Sequence, residues 1–436
     1  MSIFKKVLIL FGDFLILYLS LVLMLVVRYG LEELRIRFGD HFLPFTIIIF
    51  LWLIIFYLSD FYHQKNLNQK KISKVLGTAV IFSLLASVII FYLFGEFFKL
   101  TPKTNLLIFG GVFFALDLLW RVLIAKFFTS GALGIVILGD SPLILETINY
   151  IKENPQTGYK TVLWLKEANQ ESVQKIEQTL KNRETQVIVA VQRSLTKELM
   201  GKLMEFLSFE ANFIDFGDFY EMIFEKVPLE ELEESWFVKN ITARRPVYDH
   251  IKRFIDLALS LLLGILFLPL SFLIALTIKL SSHGPVIYWQ KRVGKNGKVI
   301  TIHKFRTMTH ENVGLLWTEE NDNRVTQLGK ILRFTHLDEI PQLWNIIRGD
   351  ISFTGPRPER TELAKEFEKF PYYDMRHIVK PGLTGWAQIN YKASASLEEA
   401  YEKLRYDIFY VKNRSFWLDI RIIIKTIRYL FMFYVK

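Results

Sequence analysis

The chain has 436 residues, of which 51% are hydrophobic and 38 are Phe, and its mean hydropathy is +0.25. It is too apolar for an ordinary soluble protein of this length, which predicts a membrane protein with soluble parts. Lys and Arg number 54 against 44 Asp and Glu, a formal charge of +10, and there is no cysteine. The charge suits an anionic membrane surface or phosphorylated substrates, whereas no stripe of basic residues interleaved with aromatics points to nucleic acid. The missing cysteines exclude disulfides, thiolate zinc sites and cysteine nucleophiles.

Four apolar segments, at about 7–27, 42–61, 75–98 and 106–127, are each long enough to cross roughly 30 Å of hydrocarbon, which takes about 20 helical residues. Lys5 and Lys6 precede the first with no small-residue cleavage site after it, so it reads as a retained membrane helix and not a removable signal. The second linker carries Lys65, Lys70, Lys71 and Lys74, and this positive-inside bias places the amino terminus and everything after residue 128 in the cytoplasm. Asp13 and Asp117 are costly inside apolar segments. A functional role is weighed there against pairing between helices, or of Asp117 with Arg121 one turn on.

Residues 129–240 read as soluble α/β. A buried strand at 135–138 ends in Gly139-Asp140-Ser141, a helix follows at 143–151, and strands at 161–165 and 187–191 flank another helix. A dinucleotide site needs G-x-G-x-x-G in the first turn and only Gly139 is there, so a packing, dimerising or regulatory role is expected. The next apolar run, 257–280, has Pro269 near its centre, which bends a helix axis. Lys252 and Arg253 flank it on one side and Lys279, Lys291 and Arg292 on the other. A kinked transmembrane helix and a re-entrant hairpin both fit, and basic residues at both ends favour the hairpin. Arg253 and Asp256, three residues apart, are expected to pair at the membrane boundary.

A β-hairpin is predicted from 284 to 305, delivering Lys304 and Arg306 at the end of its second strand. The stretch 333–359 then concentrates the chemistry. Asp338 and Glu339 are adjacent carboxylates before Pro341, and Arg357 is framed by Gly355, Pro356 and Pro358. Pro341 predicts a helix starting near Asp338, with free amides facing what Asp338 faces; the alternative is that Asp338 only caps that helix. Residues 380–390 form a shaped loop with Pro381, Gly382, Gly385 and Trp386. From 415 to 436, Phe416, Trp417, Ile420, Ile423, Ile424 and Ile427 lie on one side of a helix and Arg421, Lys425 and Arg428 off it, a pattern for the membrane interface, with a helix packed on the cytosolic domain as the alternative.

Leu337-Asp338-Glu339-Ile340-Pro341-Gln342-Leu343, Asn345, Arg348-Gly349-Asp350, Ser352 and Gly355-Pro356-Arg357-Pro358-Glu359 together resemble the core of the bacterial sugar transferases. These are the polyprenyl-phosphate hexose-1-phosphate transferases, or monotopic phosphoglycosyl transferases. The resemblance extends over Lys304-Phe305-Arg306-Thr307-Met308 and over Lys380-Pro381-Gly382-Leu383-Thr384-Gly385-Trp386, about the last 190 residues in all. It implies a four-helix transmembrane domain (1–128), a Rossmann-like α/β domain (129–240) and a C-terminal α/β catalytic domain (241–436). The last would hold a re-entrant helix at about 253–281, marked by Arg253, Asp256 and Pro269, and interfacial amphipathic helices. The implied reaction moves a sugar-1-phosphate from a UDP-sugar to undecaprenyl phosphate or a similar polyprenyl phosphate, releases UMP, and initiates exopolysaccharide, capsule or O-antigen assembly.

In that reading Asp338 is the nucleophile and forms an aspartyl-phosphosugar, Glu339 handles Mg²⁺ or a proton, and both carboxylates hold the Mg²⁺. Lys304, Arg306, Arg333 and Arg357 grip the phosphates. His336, where a serine is frequent in the family, is a weaker acid–base candidate. The implied setting is the bacterial inner membrane with catalysis on its cytoplasmic face, and a homodimer is left open. A nucleotide-sugar dehydratase or epimerase, and a non-catalytic scaffold or flippase component, are the rival readings.

Overall fold

The computed structural model describes residues 3–58, 61, 69–95, 103–130, 132–167, 169–191, 201, 205, 211–281, 283–308, 324–391 and 396–432. Part of the basic second linker, Lys65 included, lies outside them. The chain divides into two compact units, Met1–Phe219 and Tyr220–Lys436.

The first unit opens with helices α1 (Ile3–Tyr29), α2 (Leu34–Leu58), α3 (Gln69–Leu93) and α4 (Lys103–Ser130). Their apolar spans of 21 to 24 residues are long enough to cross a membrane. The inner faces pack aromatic rings: Trp52 meets Phe113 edge-on at 5.6 Å, and Phe56 stacks on Phe113 at 5.3 Å. Outward, Phe11, Ile54 and Leu85 are exposed, the pattern of helices whose surroundings are hydrocarbon. The intramembrane carboxylates resolve as a triad. Arg121 donates to Asp13 at 2.5 Å and to Asp117 at 3.3 Å, all three side chains are fully buried, and Arg121 lies over the Phe61 ring.

The same unit continues with β1 (Leu133–Leu138), α5 (Pro142–Glu153), β2 (Tyr159–Leu165), α6 (Gln170–Lys181), β3 (Val187–Ala190) and β4 (Asn212–Asp215). All pairings are parallel, in the order β2-β1-β3-β4. Val136, Leu138 and Ile188 from the strands meet Ile176 and Leu180 of α6 in one core. The turn after β1 is closed by Ser141, whose Oγ accepts from Leu143 N at 3.1 Å and starts α5.

In the second unit, α7 (Pro246–Leu266) and α8 (Leu268–Ser281) replace the single run expected around Pro269. The axis bends by 60° at Phe267. Pro269 then stands in the first turn of α8, where its missing N–H costs nothing; in a continuous helix its ring would strike the Ile265 carbonyl. The predicted hairpin is present as β5 (Ile287–Val293) and β6 (Val299–Phe305), antiparallel from Ile287↔Phe305 to Val293↔Val299. After it come α9 (Gln327–Phe334), α10 (Gln342–Arg348), β7 (Ser352–Thr354), α11 (Thr361–Phe367), β8 (Gly382–Thr384), α12 (Leu397–Asn413) and α13 (Phe416–Met432).

Two expectations need correction. Arg253 and Asp256 do not bond each other. Arg253 donates to the Ile346 and Ile347 carbonyls at 2.6 Å each, neutralising the C-terminal end of α10, while Asp256 accepts from Ser352 Oγ at 3.1 Å and Phe353 N at 3.3 Å. Each pins the base of α7 to a different segment. The segment 220–240, read from sequence with the middle domain, packs in the second unit: Val227, Leu229, Leu232, Trp236 and Phe237 share a core with Leu363, Phe367, Tyr373, Leu404 and Ile408.

Candidate active site around Asp338

Asp338 is placed by a change of direction between two helices. α9 ends at Phe334, and His336 takes the left-handed conformation (φ 56), which a histidine tolerates better than a branched residue. The chain then makes a single 3₁₀ turn, Leu337–Glu339, before α10 begins. The helix thus starts after Pro341, not at Asp338, and neither Asp338 nor Glu339 makes a side-chain cap. Leu337 and Ile340 hold the turn from below, packing with Phe305, Leu332 and Ile278. Both carboxylates are thereby presented beside the end of β6.

β6 delivers Lys304 to them. Its Nζ lies 2.5 Å from Glu339 Oε1 and 3.9 Å from Asp338 Oδ2. Arg357 Nη2 reaches the same Glu339 oxygen at 3.4 Å. Asp338 keeps 10% of its side-chain surface, so it is enclosed but not sealed. Beside it runs a crevice lined by Tyr288, Arg292, Lys304, Gln342 and Arg357.

The neighbouring acids sit in opposite electrostatic states. Burial, with the Glu339 charge adding to it, pushes the Asp338 carboxyl above its ordinary range, although Lys304 pulls the other way. Burial would raise Glu339 too, but the Lys304 ammonium and Arg357 guanidinium outweigh it and hold that carboxyl down to about 2. Such splitting assigns different work to the two members of a pair.

The remaining expected phosphate contacts divide. Arg333 Nε donates to Thr307 Oγ1 at 2.9 Å, tying α9 to the end of the hairpin. Arg306 is buried, and its backbone N donates to Val286 O at 2.9 Å. Lys304 and Arg357 are therefore at the carboxylates, while the contacts described for Arg306 and Arg333 brace the wall behind them. His336 is exposed on the same turn.

For several residues the supporting role was not read from the sequence, although Asn345 and the glycines stand in the matched motifs. Arg376, buried, donates to the Arg357 carbonyl at 2.9 Å and bridges Asp407 at 2.8 Å. Burial first, then Glu359, raises Asp407 to about 6 despite that partner. Arg292 Nη1 donates to Pro358 O at 3.0 Å, so the hairpin grips the loop on Arg357's other side. Asn345, fully buried, donates to Thr301 O at 2.7 Å and accepts from His303 N at 3.1 Å, locking α10 to β6. The glycines have a steric reason. A Cβ on Gly382 would lie 2.1 Å from Gly355 N and one on Gly385 2.2 Å from Gly355 O, so the Arg357 loop and the 380–390 loop touch backbone to backbone.

Among the described residues no three His, Asp or Glu gather as a metal cluster. Two adjacent carboxylates nonetheless match what Mg²⁺ takes from a protein when phosphates and water complete its shell.

A membrane protein is thus defined whose C-terminal unit presents an acid pair among cations beside a bent apolar helix. The bacterial sugar transferase family matches residues 247–433, and the chain belongs to that family. It is 39% identical over 211 residues to the UDP-N-acetylgalactosamine-undecaprenyl-phosphate N-acetylgalactosaminephosphotransferase of Aeromonas hydrophila, covering 48% of this chain and 49% of the relative. To the UDP-glucose:undecaprenyl-phosphate glucose-1-phosphate transferase of Escherichia coli K12 it is 41% identical over 195 residues, 42% of each chain. These matches span about half the length of those relatives or less. An exopolysaccharide production protein of Rhizobium leguminosarum is 38% identical over 186 residues, 41% of this chain and 93% of that one.

Proposed function

We propose that the chain transfers a sugar-1-phosphate from a UDP-sugar to undecaprenyl phosphate at a membrane surface, through a covalent intermediate on Asp338, in the assembly of a cell-surface glycan. The carrying observation is the asymmetry of the acid pair: Glu339 takes up both Lys304 and Arg357, while among the described residues Asp338 has only a 3.9 Å approach to Lys304. Asp338 is thus the acid left free to attack. Its carboxylate oxygen forms a bond to the phosphorus that bears the sugar, and the bond from that phosphorus to the bridging oxygen of UMP breaks, releasing UMP. The acceptor's phosphate oxygen then attacks the same phosphorus and frees the carboxylate. Splitting the reaction lets a soluble donor and a lipid acceptor use one centre in turn.

Lys304 and Arg357 neutralise the donor phosphates, and the planar guanidinium suits two-point contact. Mg²⁺ held by Asp338 and Glu339 with the diphosphate would add charge neutralisation. The re-entrant reading of α7 and α8 is supported by both arms packing on the same domain: Leu263 meets Ile302, Leu343 and Ile346, and Ile274 and Ile278 meet Phe305 and Leu332. Such a hairpin keeps Asp338 at the bilayer's cytoplasmic surface, where lipid and nucleotide-sugar both reach it.

The test is exchange of labelled UMP into UDP-sugar with no lipid acceptor present. Wild type should catalyse it and Asp338→Asn should abolish both exchange and net transfer. Transfer without exchange, given the correct sugar, would replace the covalent route by direct displacement.

A further inference from the structure

We infer that the C-terminal unit carries a second phosphate site, apart from the Asp338 centre, formed by Arg253, Lys295 and Lys380. These three line a cavity of about 280 Å³ that shares no lining residue with the crevice beside Asp338. Lys380 Nζ and the Arg253 guanidinium lie 3.2 and 3.3 Å from where a Cβ on Gly349 would stand, so the two cations meet beside that glycine. Among the described residues neither Lys295 nor Lys380 makes a side-chain hydrogen bond or ion pair. Arg253 spends its bonds on neutral carbonyls and keeps its charge.

The other charged lining groups are committed. Lys252 pairs with Asp419 at 2.8 Å, and Arg414 donates to the Val411, Thr242 and Ala243 carbonyls. Asp249 accepts from Arg245 N, and Asp256 from Ser352 and Phe353. Partial burial of convergent like charges is unfavourable until an anion arrives. Burial, then the Arg253 charge, already push the Lys380 amine below the ordinary lysine value, and the Asp256 and Asp350 carboxylates offset this only in part.

The position indicates the source of the anion. The lining part of α7, Tyr248 to Asp256, immediately precedes the apolar run, and on its outer face Ile251 is 48% and Phe254 72% exposed. The cavity therefore opens at the depth where phospholipid headgroups present phosphate, and a lipid phosphate is expected ahead of a soluble one.

The test uses the full chain and reads binding without turnover. Native mass spectrometry of detergent-purified protein should show one retained phosphatidylglycerol, with apparent affinity falling about tenfold or more in Lys295→Gln/Lys380→Gln. Lys380→Arg should bind as wild type, and so should Lys298→Gln, an exposed lysine of the same hairpin outside the cavity. Phosphatidylcholine should not discriminate the variants. In a second arm, inorganic phosphate is titrated into lipid-stripped protein. Phosphate binding lost in the double variant, with phosphatidylglycerol binding unaffected, would keep the site and assign it a soluble anion. If the double variant melts early, Lys295→Gln alone, at the hairpin turn, carries the test with an expected loss of about fivefold. Wild-type affinity for both probes in a folded variant overturns the site.

Discussion

Asp338 and Glu339 are neighbours in sequence, yet their surroundings make them opposite acids, and two predictions follow from the direction of each shift. Burial raises the Asp338 pKa, so its proton leaves at higher pH than from an ordinary aspartate near 3.9. Because only the carboxylate is a nucleophile, kcat/KM should climb with pH through a pKa above that value. Lys304→Met removes the cation that opposes the shift and should move the rising limb further up, with a higher KM as well; a limb that stays in place separates it from Asp338. Glu339 behaves in the reverse sense. Its folded pKa, about 2, lies below its unfolded one, so its ion pairs stabilise the fold above the unfolded pKa and are lost as pH falls from about 4.5 toward 2. Glu339→Gln should therefore cost on the order of 2–3 kcal/mol in denaturant unfolding at pH 7, and much less near pH 2. An equal cost at both pH values would mean packing, and not charge, is what Glu339 supplies.

At the scale of elements, what was legible had a period or a fixed covalent constraint behind it. The apolar spans, the strands from β1 to β3, the β5–β6 hairpin and the bend near Pro269 all rest on side-chain alternation, run length or a missing N–H. The start of α10 was misplaced because Pro341 serves a helix cap as readily as a first turn. The 3₁₀ turn ahead of it depends on the left-handed backbone at His336, which no pattern announces. The Asp338, Glu339 and Arg357 motif stood out, with Asn345 beside it, but the contacts that support it did not: Arg376, Asp407, Arg292 and Asn345 act on residues up to 66 positions away. Likewise Arg253 and Asp256 satisfied local helix spacing, yet long-range backbone groups took both. Pro269→Ala tests the bend itself. Helices of 21 and 14 residues would then merge into one of about 50 Å, long enough to span. With no native cysteine to interfere, single cysteines at Ala243 and His283 report which face each end occupies. Both should label from the same face in the wild-type background and, in part, from opposite faces in the Pro269→Ala background. Opposite faces in the wild-type background would rule out the hairpin.

At the scale of the whole molecule, the division at Tyr220 changes which fragment should work alone. A cut at 241 follows the sequence pattern, but it removes Trp236 and Phe237 from the core that α11 and α12 share, with Phe237 stacked on Tyr372 at 3.9 Å. It also removes partners of two cations: buried Arg405 donates to Tyr220 Oη at 2.7 Å and to Val227 O at 3.0 Å, and half-buried Lys412 pairs with Glu221 at 2.9 Å. Arg421 of α13 loses Glu225 as well. Emptying a core of one large aromatic costs about 3–5 kcal/mol, and two are lost together with these polar partners, although Arg405 keeps Glu402 at 2.8 Å, so the loss approaches the whole stability of a typical domain. A chain starting at 220 should therefore fold, bind membranes through the α7–α8 pair and α13, and retain UMP exchange, whereas one starting at 241 should aggregate or melt far lower. Thermal unfolding and exchange assays on the two lengths decide it. Equal behaviour would show that residues 220–240 only rest on the unit, and loss of exchange in both would make the first unit, Met1–Phe219, necessary for catalysis.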